Sequence, residues 1–281
     1  MYSAAVQRHI IEQPQAVSVI SDARKITRAQ LGADIDGLSS WLAREGLTTG
    51  DVVGLTISDE YQHLIAALSL MRLGCVQIIL PSHEPAPYRA NLTARARAVA
   101  VIAQRAVDGV AGLPTVIPDF SFRAPPSEAP PQLPAADAVS MYVTSSGTTG
   151  KAKFTPLTQE QLYFQSIISQ FPSTFDILYR PSPIEYNNAK RHRLYVAALG
   201  GINVFAKESK VDIFETCATQ KVTRLSISAA QAAALASRAE AGEGRLPPET
   251  CVRTGGFRSR PNASRADRSA FVEGASRRLC D

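Results

Sequence analysis

The sequence predicts an α/β protein with layered, mostly parallel sheets in two lobes, and three observations lead to this prediction. Short apolar runs that are typical of buried strands alternate with longer segments whose apolar residues recur at helical spacing. Such alternation is typical of parallel strands joined by right-handed crossover helices. Five prolines within residues 124–136 exclude a regular helix or a central strand there. This Pro-rich segment separates a predicted first lobe, 1–123, from a predicted second lobe, 137–281.

The elements of the first lobe follow from helix caps and apolar runs. Thr27 and Gln30 have the spacing of a capping box, and Gly46 and Gly74 are typical of helix ends. In chain order the sequence predicts a helix over 4–12, a hairpin over 16–26, a helix opened at 27–30, a strand over 51–57, a helix to about 72, a strand over 75–80, a helix near 88–95 and a strand over 98–103.

The second lobe is predicted in the same way. Thr158 and Gln161 again have the spacing of a capping box. The predicted order is a strand over 139–143, a polar loop over 144–153, a short strand at 154–157, a helix to about 169, a strand over 176–180, a helix ending at 200–201, a strand over 202–205, a helix from 211, a strand over 221–227, a helix over 229–240, a strand ending at 254 and a helix over 263–279.

The loop Thr-Ser-Ser-Gly-Thr-Thr-Gly-Lys-Ala-Lys, residues 144–153, has the composition of a phosphate-binding loop. Its glycines allow the backbone to curl, and its hydroxyl and N–H groups are donors for phosphate oxygens. It is not a Walker loop, because Ser145 and Ala152 occupy positions where that motif requires Gly and a hydroxyl residue. A flexible Gly/Ser/Thr linker is the alternative, but a strand directly before the loop and a capping box directly after it favour a built site.

Residues Ser146–Lys153 resemble the phosphate loop of the acyl-adenylating superfamily, which contains acyl- and aryl-CoA ligases, luciferases and the adenylation domains of peptide synthetases. Three positions depart from the pattern of that family, with Ala152 in place of Pro, Phe154 in place of Gly and Gln159 in place of His. Segments earlier in the chain, at 26–31, 50–53 and 71–81, are similar in order and spacing to the first segments of the family.

The resemblance implies roles for individual residues. Ser145, Ser146, Thr148 and Thr149 would hold the β- and γ-phosphates of ATP, together with the backbone N–H groups of Gly147 and Gly150 and the charge of Lys153. The resemblance further implies that Gly255, Gly256 and Phe257 flank the nucleotide and that Tyr186 contacts the acyl group. For Tyr186 a core tyrosine with a satisfied hydroxyl is an equal alternative. The absence of a Phe-Asp-x-Ser segment favours a plain carboxylic acid over an amino acid.

The same resemblance implies an ATP-dependent enzyme that activates carboxylic acids, with Mg²⁺ as its metal ion and coenzyme A as the acyl acceptor. The later segments of the family pattern, which include a Tyr-Gly-x-Thr-Glu segment and a small C-terminal domain with a catalytic Lys, do not occur in this sequence. We therefore expect the chain to be the front part of the large domain. We also expect it to be inactive alone and to associate through apolar surface that the missing strands would cover.

Two alternatives remain open, namely a non-catalytic homologue that binds nucleotide or a partner and an unrelated phosphate-binding α/β domain. The net charge is +5, but the basic residues are not interleaved with aromatic residues in the way that is typical of nucleic-acid binding. An anionic small substrate or a solvated face therefore explains the charge as well. The densest basic run is 190–193. The four cysteines lack ligand-like spacing, no apolar run is long enough to span a membrane, and no signal-peptide pattern is present, which together favour a cytoplasmic protein.

Overall fold

The computed structural model describes residues 1–21, 24–120, 133–145, 152–168, 176–206 and 212–254. The helices are α1 Tyr2–Glu12, α2 Arg28–Arg44, α3 Glu60–Leu73, α4 Ala86–Ala96, α5 Gln159–Ile168, α6 Asn187–Leu199, α7 Ile213–Thr219 and α8 Ala229–Glu240. The strands are β1 Val17–Ser21, β2 Arg24–Thr27, β3 Val52–Thr56, β4 Val76–Ile79, β5 Ala100–Ala103, β6 Thr115–Val116, β7 Val139–Ser145, β8 Lys153–Thr158, β9 Ile177–Tyr179, β10 Ile202–Phe205, β11 Arg224–Ile227 and β12 Cys251–Thr254.

The strands form two sheets that are parallel except at one edge of each. The first sheet has the order β12-β11-β9-β10-β1-β2, in which only β2 pairs antiparallel. The second has the order β6-β5-β3-β4-β7-β8, in which only β8 pairs antiparallel. Two largely parallel sheets with helices between consecutive strands confirm the predicted fold class. The predicted helix over 263–279 lies outside the described residues.

The division of the sequence into lobes 1–123 and 137–281 does not coincide with the two sheets. Strand β7 follows the Pro-rich segment but pairs with β4, while β1 from the start of the chain pairs with β10. Each sheet therefore takes strands from both sides of 124–136. A parallel strand needs a crossover connection, so the pairing of strands does not have to follow their order in the chain.

One apolar core joins the two sheets. It includes Val19 of the first sheet, Leu55 of the second and Leu194 of α6, and each of these side chains is fully buried. Helix α6 thus packs against the same core as both sheets. Its end is fixed by Gly200, which adopts the left-handed conformation and lies so close to His9 that an added Cβ would come within 2.8 Å of the imidazole. The start of α6 is the part that concerns the functional site.

The helix caps predicted from sequence are present. Thr27 and Gln30 form a reciprocal capping box at the start of α2, and Thr158 and Gln161 form another at the start of α5. The second box directly follows β8, so the predicted order of strand, loop, strand and helix around residues 144–153 is confirmed for the residues that the structure describes.

Candidate active site

The candidate phosphate loop connects the two strands of a hairpin. Strands β7 and β8 pair antiparallel, and the last register partners are Ser145 and Lys153, both exposed. A strand, rather than a helix, follows the loop, as the sequence predicts. The five central residues, Ser146, Gly147, Thr148, Thr149 and Gly150, lie outside the described residues. The hairpin therefore fixes the two ends of the loop at the exposed edge of the second sheet.

Helix α6 begins beside this hairpin. The amide Nδ2 of Asn187 donates hydrogen bonds to the hydroxyl of Thr144 at 2.7 Å and to the carbonyl oxygen of Thr144 at 3.2 Å. Thr144 immediately precedes Ser145 at the end of β7. The first residue of α6 is thus attached to the strand that leads into the loop, and groups on the next turn of this helix lie about 6 Å further along its axis.

Tyr186 is the residue just before α6, and it is not a core tyrosine. Its side chain is 49% exposed, and its ring lies 5.5 Å from the ring of His83 at an angle of 43°. Exposure excludes the alternative of a buried tyrosine with a satisfied hydroxyl. The contact with the acyl group stays a prediction.

Two glutamates, the partly buried Glu60 and the buried Glu185, hold the connection between β9 and α6. Glu60, at the start of α3, accepts a hydrogen bond from the backbone N–H of Ile184 at 2.9 Å and forms a salt bridge of 2.5 Å with Arg193. Glu185 accepts hydrogen bonds from the N–H and the hydroxyl of Ser82, both at 2.8 Å. These contacts fasten the connection to α3 and to the segment after β4, and so fix where α6 starts. Sequence reasoning did not find either glutamate.

A group of basic side chains lies where β9 and β11 end. Arg180, which follows β9, donates from Nη1 to the Nδ1 atom of His192 at 2.7 Å and to the hydroxyl of Ser226 at 2.7 Å. Arg191 and Arg253 act electrostatically on the same imidazole. We call Arg180, Arg191, His192 and Arg253 the basic cluster.

The pKa values of Arg180 and His192 reflect burial among like charges. Burial, followed by the neighbouring charge of Arg193, lowers the pKa of Arg180 to about 10. Burial, with the surrounding arginines, lowers the pKa of His192 to about 3, so its imidazole is neutral near pH 7 and its Nδ1 atom accepts the hydrogen bond from Arg180. None of the causes acting on either group is a carboxylate.

In the basic run 190–193, the densest of the sequence, two residues are buried and the other two are partly buried. Lys190 is 0% exposed and Arg193 is 3% exposed. Burial lowers the pKa of Lys190, and its ammonium nitrogen has no hydrogen-bond partner among the described residues. The density of basic residues was the only sequence signal for the cluster, because Arg180, Ser226 and Arg253 are distant in the chain.

Two of the three departures from the family pattern have structural roles. Gln159 is 1% exposed, accepts a hydrogen bond from the N–H of Ser3 at 2.9 Å and donates to the carbonyl oxygen of Met71 at 3.1 Å. Phe154 lies 5.9 Å from the ring of Tyr142, and the guanidinium of Arg95 lies 5.2 Å from its ring centre. Gln159 thus joins α1, α3 and α5, while Phe154 packs near the loop end of the hairpin, where it is the register partner of Thr144.

The remaining predicted nucleotide residues follow β12, the parallel neighbour of β11. Gly255, Gly256 and Phe257 lie outside the described residues. Among the described residues, no group of three or more His, Cys, Asp or Glu side chains is placed to hold a metal ion.

The two-sheet α/β fold, and the Gly/Ser/Thr sequence that joins two antiparallel strands, are the features that the resemblance to the acyl-adenylating superfamily predicts. The family of AMP-binding enzymes matches residues 6–271, and the chain belongs to this family. The resemblance found on residues 146–153 is therefore confirmed.

Solved structures of this class share the fold. The N-terminal subdomain of NpsA from Klebsiella oxytoca, in complex with 3-hydroxyanthranilyl-AMSN, is similar with a TM-score of 0.79 and 19% identity, over 91% of this chain and 66% of that one. O-succinylbenzoate coenzyme A synthetase (MenE) from Bacillus subtilis, in complex with AMP, is similar with a TM-score of 0.79 and 18% identity, over 90% of this chain and 67% of that one.

Curated relatives match only about half of the chain. Glycine betaine reductase ATRR of Emericella nidulans is 27% identical over 160 residues, which are 54% of this chain and 12% of that protein. A probable non-canonical nonribosomal peptide synthetase, CymA of Salinispora arenicola, is 29% identical over 154 residues, which are 53% of this chain and 2% of that protein. The chain therefore spans a small part of the length of both relatives.

Two further expectations concern association through exposed apolar surface and the absence of a membrane span. No relative or structural neighbour supports an association driven by apolar surface at a truncated end. Within the described residues, every helix is too short or too polar to cross a lipid bilayer.

Proposed function

We propose that the protein containing this chain activates a carboxylic acid with ATP and forms an acyl-adenylate and pyrophosphate. The observation that carries the proposal is the family match over 6–271, in a chain whose Gly/Ser/Thr loop joins β7 to β8. A loop of small residues that is rich in hydroxyl and backbone N–H groups suits the oxygens of a triphosphate.

The proposed reaction needs positioning more than covalent catalysis by the protein. A carboxylate oxygen of the acid attacks the α-phosphorus of ATP in line, and the bond from this phosphorus to the oxygen bridging to the β-phosphate breaks, which releases pyrophosphate. In this proposal Ser145, Ser146, Thr148 and Thr149 donate to the β- and γ-phosphates, and the N–H groups of Gly147 and Gly150 assist.

Lys153 supplies positive charge beside the phosphates in this proposal, since it is the exposed register partner of Ser145. Mg²⁺, bound with ATP, would neutralise charge on the triphosphate. Gly255, Gly256 and Phe257 would flank the adenosine, because glycines after a strand allow close approach to a ring. Tyr186, exposed at the start of α6, would contact the acid.

We further propose that the acyl group is transferred to a thiol, and that coenzyme A carries this thiol. The name of the MenE neighbour supports coenzyme A, and the peptide synthetase relative supports a carrier protein as the other acceptor. Supplying coenzyme A and a phosphopantetheinylated carrier protein in parallel, and following acyl thioester formation by mass spectrometry, distinguishes the two acceptors.

The activity is tested by ATP–pyrophosphate exchange with the protein at its natural length, over a panel of carboxylic acids. We expect acid-dependent exchange there and little or none with residues 1–281 alone, because those residues lack the family segments that complete the active site. Equal exchange by the 281-residue chain would overturn the second expectation. Nucleotide binding without exchange on any acid would instead favour the non-catalytic homologue.

The structure removes part of the case for that alternative. Of the departures from the family pattern, Gln159 makes specific hydrogen bonds and Phe154 makes specific ring contacts, so neither indicates a loss of constraint. Substitutions that are built into the core in this way are compatible with an active enzyme.

A further inference from the structure

Lys190, near the start of α6, is a buried amine that the proposed reaction does not use. Its side chain is 0% exposed. Among the residues that the structure describes, its Nζ atom has no hydrogen-bond partner and forms no salt bridge. A charged ammonium group carries three N–H donors, and all three would be unsatisfied here. Burying a charge in this way is so unfavourable that the amine instead loses its proton.

Other buried cations of the fold are compensated by carboxylates. Arg72 pairs with Asp36 at 2.8 Å, and Arg193 pairs with Glu60. Lys190 differs from both, because burial is the only cause that acts on its pKa, which it lowers.

His63, on α3, is a second buried titratable group that acts on Lys190. Its Nδ1 atom lies 2.8 Å from the carbonyl oxygen of Ile57, and since a carbonyl only accepts, Nδ1 carries the proton of the neutral ring. Its Nε2 atom is buried without a hydrogen-bond partner in the described part of the chain. Burial, followed by the charge of Lys190, lowers the pKa of His63. A charge on either side chain therefore makes a charge on the other more costly.

The elements packed against α6 are α1, α3, α5 and β10. Their titratable groups toward α6 are Tyr2 and His9 of α1, Glu60 and His63 of α3, and the exposed Glu160 and partly buried Tyr163 of α5, whereas β10 has none. Tyr2 and His9 bond to backbone carbonyl oxygens of α6, and Glu60 is occupied by Arg193. None of these groups offsets a charge on Lys190, because burial is the only cause acting on that amine.

The start of α6 is a weakly secured part of this helix. Its N-cap residue, Tyr186, makes no side-chain cap hydrogen bond, and the first turn contains no acidic residue, so the positive end of the helix dipole also opposes a charge on Lys190. The backbone N–H of Lys190 donates to the carbonyl oxygen of Tyr186 at 2.9 Å. Three residues before Lys190, on the same side of the helix, Asn187 is bonded to Thr144. A charge on Lys190 would thus strain the turn that holds both contacts.

We propose that the start of α6 is a proton-sensitive element, which stays closed while Lys190 and His63 are uncharged and opens when either takes up a proton. Opening releases Tyr186 and detaches Asn187 from Thr144, so the surroundings of the candidate site depend on pH. The inference goes beyond the proposed function and does not depend on it, because it uses only contacts within the fold.

The direction of the effect follows from where protons bind. Opening exposes the Lys190 amine, whose ordinary pKa is about 10.4, so opening below that pH takes up one proton. The equilibrium constant for opening therefore falls about tenfold for each pH unit as the pH rises from the lowered pKa of the folded protein toward about 10.4. Below about pH 6.5 His63 adds a second proton in the same direction.

Hydrogen exchange of the protein at its natural length, followed by mass spectrometry, measures this opening between about pH 7.5 and 9. The protection of the Asn187–Leu199 amides, corrected for the intrinsic exchange rate at each pH, is compared with that of α8, which packs in a different apolar cluster. The variants are Lys190→Met, which is similar in length and cannot be charged, and the control Lys25→Met, on the exposed part of β2. His63→Gln tests the second group between about pH 5.5 and 6.5.

We expect the protection of α6 in the wild-type protein to rise about thirtyfold from pH 7.5 to 9, which is tenfold for each pH unit. In Lys190→Met the protection should be higher at pH 7.5 and should change less than threefold over the same range, while Lys25→Met should behave as the wild type. The additional loss of protection below pH 6.5 should disappear in His63→Gln. If Lys190→Met folds poorly, Lys190→Gln, which is also uncharged, should show the same insensitivity to pH.

The same pH dependence in the wild type and in Lys190→Met would overturn the proposal, because the amine would then titrate without opening of the helix. A rise in α8 as large as that in α6 would also overturn it, since the charge would then act on the whole fold. Loss of the pH dependence in Lys25→Met would assign the effect to net charge, with the same consequence. None of these measurements requires catalysis, so their outcome is independent of the test of the proposed function.

Discussion

The phosphate-loop hairpin and the basic cluster show two ways of building a site on one fold. The loop is a contiguous stretch, 144–153, whose chemistry is visible in its residue types, and β7 and β8 only hold its two ends. The basic cluster combines the residue after β9 with residues of α6 and β12, up to 73 positions apart in the chain. The loop can therefore be recognised in a sequence, whereas the cluster exists only after the sheets have paired.

The largest effect is expected in the loop. Replacing Thr148 and Thr149 together by Val removes two hydroxyl donors from the proposed triphosphate site and keeps the side-chain shape. We expect exchange to fall by a factor on the order of 10²–10³ or more for every acid, with an unchanged melting temperature.

Thr155→Val, on the exposed part of β8, is the matched control and should keep full activity. Exchange that continues at the wild-type rate in the double variant would show that the loop hydroxyls do not hold the nucleotide.

The second largest effect is expected on the stability of the protein, when the salt bridge between Glu60 and Arg193 is broken. Glu60→Ala leaves the guanidinium of Arg193 buried without its carboxylate and frees the N–H of Ile184. We expect the free energy of unfolding to fall by roughly 3–5 kcal/mol, as for other broken buried ion pairs. Chemical denaturation monitored by circular dichroism measures this change.

A double variant distinguishes the ion pair from general packing. Glu60→Ala combined with Arg193→Met removes the isolated charge, so part of the lost stability should return. Additive losses in the double variant would contradict a stabilising pair. In either protein, loosening the start of α6 should weaken acid binding more than ATP binding.

Most of the helices and strands could be predicted from the sequence, because their signals depend on residues that are neighbours in the chain. Capping boxes at Thr27 and Thr158 and the helix end at Gly74 depend on neighbouring residues only, and all three are present. The pairing of β7 with β4, and of β1 with β10, depends on contacts between distant segments, so no local pattern in the sequence predicts it.

The candidate site likewise has one part that the sequence predicts and another part that becomes visible only in the structure. The residue types of the loop predicted a phosphate site, and the hairpin places its ends where such a site is accessible. Glu60, Glu185 and Arg180 gave no signal in the sequence, because a single glutamate or arginine becomes informative only when its burial and partners are known. The basic run at 190–193 was visible, but its burial was not.

The third effect tests whether a departure from the family pattern is functional or structural. Gln159→His restores the usual family residue but replaces an amide that accepts from Ser3 and donates to Met71 in the core. We expect a loss of roughly 1–3 kcal/mol in stability, because buried partners are left unsatisfied, and no gain in exchange rate. A more active and equally stable variant would show that Gln159 had replaced a catalytic group.

The smallest effect is a pH dependence that the basic cluster predicts. The pKa of His192 is lowered to about 3 in the folded protein, first by burial and then by the surrounding arginines, whereas the unfolded chain titrates near 6.5. Below pH 6.5 the unfolded state therefore binds more protons, and this contribution to stability is lost progressively as the pH falls from 6.5 toward 3.

Between pH 7 and pH 5.5 the loss from this single group is about 1 kcal/mol. Burial also lowers the pKa of His63, which adds to the slope in the same direction, so the comparison must be made against His192→Gln and not against the wild-type curve alone. The variant should have a shallower decline in melting temperature over this range. An identical slope in wild type and variant would show that His192 is accessible to protons in the folded protein, and would remove the electrostatic contrast between the cluster and the loop.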